Sequence, residues 1–464
     1  MRKRAWGIAA LVVVAGCRHG TPLVTRPAGA PRSVVLRNVR VFDAPNASLA
    51  AGARDVVVRD GRIAVIAEPG VAAAGLAEID GRGGTLLPGL VDVHTHTGGS
   101  SMPPWSVALP DVDHNLAAYL YAGTTTVLDL GSLSPDVFRE RADVAAGTRL
   151  GPHVYAAGPI FTTPGGHPAE VLRKWLPWYL RWYVLPRATR EVTTPEEARK
   201  AVDALLPERP DVLKIAIDAG ATNVPCLAPE TTAAITAAGH AANVRSIAHI
   251  GSSAEAIAAV RAGVDALAHA PWREDISDEA VDVIAAAHVP VVVTLAVWDL
   301  GSSTRSREAD FAPIEREVAP PGLIAAFLAP APALDDDTQA FIRAAAGAHG
   351  ARRRNVGKLR RAGVTILAGS DACNPGDLPG AGLHIELAKI VEAGLTPGEA
   401  LRIATSENAR FLAGDGADFG EIAVGKRADL VLVAGDPVSR IGDLARISHV
   451  VLDGTVLERH AAQQ

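Results

Sequence analysis

Eight short apolar runs recur through the middle of this chain, at 90–96, 124–130, 154–157, 212–217, 246–250, 266–269, 289–295 and 365–368, mostly separated by Ala-rich, helix-compatible sequence. That alternation constrains the fold more than any other feature. Short continuous apolar runs suit strands buried on both faces, and the stretches between them suit helices. Strand–helix–strand units build parallel sheets with right-handed crossovers. Eight units over roughly 330 residues match a (β/α)8 TIM barrel with insertions, so the prediction is an α/β fold with that barrel over 88–417. An open doubly wound sheet is the alternative, but no glycine-rich phosphate-binding turn follows the first run.

The two ends have a different texture. Apolar and polar residues alternate over 34–42 and 56–66, with Asp60-Gly61 placed as a hairpin turn, and again over 429–433 and 449–457, with Asp453-Gly454 as a turn. Strand-rich ends around a long middle predict one small β-sandwich built from 34–87 plus 418–464. Ahead of it, Arg2, Lys3 and Arg4 precede an apolar run at 5–15, too short to span a bilayer. Val14-Ala15-Gly16-Cys17 then resembles the processing box of bacterial lipoproteins. The expectation is a signal peptide over 1–16, a lipid on the Cys17 thiol, and a tether over 17–33, with plain secretion or an uncleaved N-terminal anchor as the alternatives. The compartment implied is the bacterial envelope, with the protein held to the membrane by that lipid and facing the periplasm or the exterior.

Composition narrows the partners. Lys and Arg total 45 against 51 Asp and Glu, a formal charge of −6, so the chain lacks the basic field that nucleic acid requires. Three cysteines cannot build a disulfide framework, and Cys226 and Cys373 are expected as free thiols.

Chemistry concentrates at the ends of the apolar runs. His94 and His96 close the first run two residues apart, so on a strand they face the same side and can ligate one metal ion. Two ordinary histidines on a half-buried strand are the alternative. Lys214 sits within Val212-Leu213-Lys214-Ile215-Ala216-Ile217, where an ammonium is costly unless paired or chemically changed. Carbamylation would make it a carboxylate able to bridge two cations; otherwise it snorkels past the strand end or pairs with Asp218. His249 and His269 close the fifth and sixth runs, and Asp371 follows the eighth. Barrel enzymes place their catalytic groups at these strand ends.

These residues lie within longer motifs: Leu87-Pro88-Gly89-Leu90-Val91-Asp92-Val93-His94-Thr95-His96, Ala122-Gly123-Thr124-Thr125-Thr126-Val127, Gly165-Gly166-His167, Gly369-Ser370-Asp371 and Val424-Gly425-Lys426-Arg427-Ala428-Asp429-Leu430. With them the chain resembles the amidohydrolase superfamily, in particular its binuclear branch of dipeptidase-like and imidazolonepropionase-like enzymes, over essentially everything after residue 33. The resemblance implies that His94, His96 and Asp371 bind one metal, that His249 and His269 bind a second, and that carbamylated Lys214 bridges them. It also implies a β-sandwich from both chain ends. Ligand type favours zinc for the two divalent ions. Asp371 is expected to shuttle the proton during attack of metal-activated water, and His167 to orient the substrate.

His240 on a helix face and the pair His384 and Glu386 after the eighth strand are expected to be structural or helix-capping. Trp175, Trp178, Tyr179, Trp182 and Tyr183 crowd a short segment among Arg173, Lys174 and Arg181. Packing on the barrel or on a subunit partner is the first expectation, a lid the second and a membrane-surface helix the third. The Pro-rich, charged segment 297–340 is expected to shape specificity. The expected activity is hydrolysis of an amide-type C–N bond in a small molecule: a dipeptide or N-acyl amino acid first, a cyclic amide second. Lactone or organophosphate ester hydrolysis on the same centre is one alternative; an envelope lipoprotein that only binds ligands is another. A homo-oligomer is compatible with all of these.

Overall fold

The structure is a computed structural model and describes residues 22–462 apart from 107 and 304. The expected signal peptide and Cys17 lipid site therefore lie outside the described residues. All eight predicted central strands are present, as Leu90–Thr95, Thr124–Asp129, His153–Ala156, Val212–Ala216, Arg245–His249, Ala266–Ala268, Val291–Val292 and Ile366–Leu367. Neighbours pair in parallel. The last two are shorter than their apolar runs. Pro290 has no N–H to donate, and after Val292 the chain turns at Thr294 into the helix Leu295–Ser302.

The expected single cylinder is drawn as two parallel sheets. One holds the first three strands; the other runs from Thr189–Glu191 through Ile160–Thr162 to Ile366–Leu367. Where the eighth strand meets the first, Val93 N–H donates to the Ala368 carbonyl (3.3 Å), Asp371 N–H donates to the His94 carbonyl (2.7 Å), and Thr95 bridges Ala372. Asn408 ties that join from below, its side-chain amide donating to the carbonyls of Val91 and Ala368, each at 2.7 Å. Gly369 is required there by close approach: a Cβ would stand 2.5 Å from His94 Cβ.

Strands from the two ends do meet, in one ten-stranded mixed sheet. Leu430–Val433 lies between Thr85–Pro88 and Ile447–Leu452. Both predicted hairpin turns form, with Asp60-Gly61 and Asp453-Gly454 in the left-handed region that such turns need. The tether expectation for 17–33 is corrected at one point. Val24–Thr25 pairs antiparallel with Thr455–Arg459, and Leu23 and Val24 are buried. Two consecutive apolar residues gain more from that sheet edge than from water.

Candidate metal centre

All six predicted ligands arrive at one place, because parallel strands deliver their C-terminal ends to the same side. His94 lies one residue before the end of Leu90–Thr95 with His96 just past it, Lys214 lies in Val212–Ala216, and His249 closes Arg245–His249. His269 and Asp371 follow strands Ala266–Ala268 and Ile366–Leu367. Both of the latter sit at positive φ, 77° and 68°. That costs a non-glycine residue on the order of 1 kcal/mol and is retained where the surroundings dictate the turn.

Asp371 Oδ1 stands 2.9 Å from His96 Nε2 and 3.3 Å from His94 Nε2, while its Oδ2 is 3.8 Å from His269 Nε2. Lys214 Nζ is 3.2 Å from His94 Nε2, and His249 Nδ1 is 2.8 Å from His269 Nε2. Five of the six are buried and His96 is nearly so.

Outer contacts orient three of the four rings, those of His96, His249 and His269. The Gly131 carbonyl can only accept, so His96 Nδ1 donates to it (2.9 Å) and Nε2 turns to Asp371. Asp218 accepts from His249 Nε2 (3.1 Å), which leaves Nδ1 inward. Thr294 Oγ1, 2.5 Å from His269 Nδ1, leaves Nε2 inward. Asp218 is itself fixed by Arg273 (2.6 Å) and by the Trp272 indole N–H (2.8 Å). With Thr294 accepting from His269, inward lone pairs face one another across His249 and His269, and a neutral His96 turns its lone pair to the Asp371 carboxylate. Acceptor opposed to acceptor is unfavourable unless a cation or proton lies between them. Nitrogen and carboxylate donors backed by outer hydrogen bonds suit divalent cations of the zinc type, so the residues present fit a metal.

Electrostatics point the same way. Burial pushes His94, His249 and His269 below the ordinary imidazole value, which keeps their lone pairs free. Burial also lowers the Lys214 ammonium to about 7. His96 departs from this trend: burial opposes its charge, but the hydrogen bond to Asp371 outweighs it and holds the value up.

His167 stands at the edge of the cluster. Its ring lies 4.7 Å from that of His249, and its Nδ1 is 3.0 Å from Glu170 Oε1. Burial lowers His167, but Glu170 more than compensates and the net shift is upward. The residues expected to be structural are so. His240 pairs with Asp265, His384 donates to the Ala122 carbonyl, and Glu386 accepts from Ala296 N–H at the start of helix Leu295–Ser302. Cys226 and Cys373 are free.

Sequence reasoning missed the supporting partners. Asp218, expected as an alternative partner for Lys214, holds His249 instead. Its position just past a ligand-bearing strand was the available signal. Trp298 opens the segment expected to shape specificity, and its ring lies 5.1 Å from His269 and stacks on Trp272 at 4.3 Å.

A family model described as the amidohydrolase family matches residues 85–457. The chain belongs to the amidohydrolase family. Family membership makes it a hydrolase. The ochratoxinase of Aspergillus niger is 27% identical to this amidohydrolase over 383 residues, 77% of this chain and 71% of that one. A solved Xaa-Pro dipeptidase with bound methionine has a TM-score of 0.74 at 21% identity, covering 92% of this chain and 100% of that one. A prolidase complexed with N-methylphosphonate-L-proline has a TM-score of 0.72 at 24% identity, again covering 92% and 100%. These two solved structures share its α/β fold.

Proposed function

We propose that this amidohydrolase uses divalent metal to cleave an amide-type C–N bond in a small molecule, with a dipeptide or N-acyl amino acid as the leading class and a cyclic amide next. The observation that carries the reading is the convergence of six candidate ligand side chains, drawn from five strand ends, on one buried cluster. The names of its relatives, ochratoxinase and Xaa-Pro dipeptidase, support an amide substrate. In this reading the eight parallel strands complete a (β/α)8 barrel through the join at Val93 and Ala368, and the strands of the chain ends form its companion β-unit.

His94, His96 and Asp371 would hold one ion, and His249 and His269 a second, with zinc favoured by ligand type. Lys214 would bridge them once carbamylated: its neutral amine adds to CO2, forms the N–C bond, and one proton leaves. A buried amine lowered to about 7 supplies that neutral form. Bound ions of this kind supply a water made acidic near neutrality and polarise the carbonyl under attack.

The chain's own residues do the rest. Asp371, steadied by the Asn374 side-chain amide at 3.0 Å, accepts the proton of the attacking water and passes it to the leaving amine. His167, whose charged form Glu170 favours, donates a hydrogen bond to the substrate oxygen as negative charge builds on it. The stacked Trp272 and Trp298 wall the His249 and His269 side and keep water from it.

Metal analysis of purified protein, chelation, and assay against dipeptides, N-acyl amino acids, cyclic amides and lactones test the proposal. Bound metal with chelator-sensitive amide hydrolysis is expected. Turnover of lactones alone would move the assignment to ester hydrolysis. Protein that holds no metal and turns over nothing would refute it.

A further inference from the structure

Helix Trp178–Ala188 contradicts the expectation that its aromatic rings pack on the barrel. None of its residues is buried, and Trp178 and Trp182 are 79% and 75% exposed. Trp175, Tyr179 and Tyr183 are exposed beside them. Trp178 and Trp182 are four residues apart, as are Tyr179 and Tyr183, so the rings form two adjacent ridges on one side of the helix. Large rings left together in water mark a surface built to be covered.

Charge identifies the cover. Residues 171–190 carry five cations, Arg173, Lys174, Arg181, Arg187 and Arg190, and no acidic residue, within a chain of net charge −6. Arg173 pairs with Glu191 and Lys174 with Asp337. For Arg181, Arg187 and Arg190 no acidic side chain lies within ion-pair distance among the described residues. Arg181 donates to the Leu176 carbonyl, Arg190 to the Pro186 carbonyl, and Arg187 lies over the Tyr183 ring.

We propose that this helix docks on an anionic lipid surface, its Trp and Tyr rings seated at headgroup level and its arginines on the phosphates. Trp and Tyr are the rings that favour the bilayer interface, and neighbouring cations add attraction to anionic lipid. A second copy fits less well, because a two-fold contact would set this cationic face against itself. The chain also has little freedom to leave a membrane if Cys17 carries lipid. Five residue steps from Cys17 to Pro22 reach at most about 18 Å, and Val24–Thr25 is already fixed in the sheet.

Hydrogen exchange on the full-length chain tests the docking. Peptides covering 171–190 are followed alone, with phosphatidylglycerol-containing vesicles, and with neutral phosphatidylcholine vesicles. A full-length Cys17→Ser form is run in parallel, so that protection by the helix is separated from tethering by the lipid. At least fivefold slower exchange with anionic vesicles only, retained in Cys17→Ser and abolished in both Trp178→Ser/Trp182→Ser and Arg181→Glu/Arg187→Glu, is expected. Trp178 and Trp182 are exposed and Arg181 and Arg187 half-buried, and unchanged exchange elsewhere certifies the fold of each variant. Unaltered exchange with anionic vesicles overturns the proposal. So does protection that rises with protein concentration without vesicles, which would identify a second copy as the cover.

Discussion

Replacing Asp218 by Asn should weaken metal binding without displacing any ligand. The carboxylate accepts from His249 Nε2, from the Trp272 indole N–H and from Arg273. An amide of the same shape keeps one accepting oxygen. If that oxygen stays with Arg273, the new NH2 group confronts two N–H donors. The low-energy escape moves the His249 proton from Nε2 to Nδ1, the atom that faces His269 at 2.8 Å. The inward lone pair is then lost, and an N–H···N hydrogen bond occupies the place of the cation. Loss of an outer partner of a metal-ligating histidine costs about 10–100-fold in affinity, or roughly 1.4–2.8 kcal/mol. Competition against a chromophoric zinc chelator reads this directly, and turnover at saturating metal separates affinity from chemistry. The stability change has a defined pH window. Burial alone would raise Asp218, but His249 and then Arg273 outweigh it and hold its carboxyl well below the usual range. A depressed folded value stabilises at every pH above the unfolded value of about 3.9, and that stability is lost as pH falls through the folded value. The gap in melting temperature between the parent and Asp218→Asn should thus be flat from pH 8 to 5 and close in strong acid. Zinc affinity within twofold of the parent, in a folded variant, would refute this account of the outer hydrogen bond.

His94→Ala and Asp371→Ala should each abolish hydrolysis and leave the circular dichroism spectrum intact; unchanged turnover in either would remove the proposed site. Lys214→Met should stabilise metal-free protein below pH 7 with an advantage that vanishes above about pH 10, because the folded value of about 7 lies below the unfolded value of about 10.4 and the ammonium burdens the fold most where it is charged. Urea titrations at pH 6 and pH 10 measure it, and equal gains at both would contradict the burial argument. Glu170→Gln removes the partner that raises His167, so the alkaline limb of the pH–rate profile should move to lower pH; an unmoved limb would free His167 from the role given to it. Gly369→Ala should cost about 1–3 kcal/mol, since its Cβ would stand 2.5 Å from His94 Cβ at the join of the eighth and first strands, and chemical denaturation reads the loss.

What could be read before any fold was known follows from the length scale of each cue. A side-chain period of two is local, so His94 and His96 were legible as a pair. Strand ends are local too: an apolar run that stops at His249, His269 or Asp371 announces where its last side chain points once the sheet is parallel. The supporting contacts are of another kind. Asp218 meets His249 because two parallel strands align Ala216 with His249, and Gly131 meets His96 because the second strand lies beside the first. Register across strands sets both, and composition carries no trace of it. The aromatic helix shows the same limit from the opposite side. Spacing correctly placed several rings on one helical face, with Pro177 dividing the segment into Ala169–Trp175 and Trp178–Ala188. Yet periodicity says only that a face is apolar, and the assumption that an apolar face turns inward failed here. The cations interleaved with the rings were the available correction. Arg181 and Arg187 find no acidic partner among the described residues, and a face meant for the protein interior would have had to bury those charges beside Trp178 and Trp182. Desolvating an unpaired guanidinium costs more than burying an indole returns, so the same sequence that makes the helix amphipathic also keeps its rings outside.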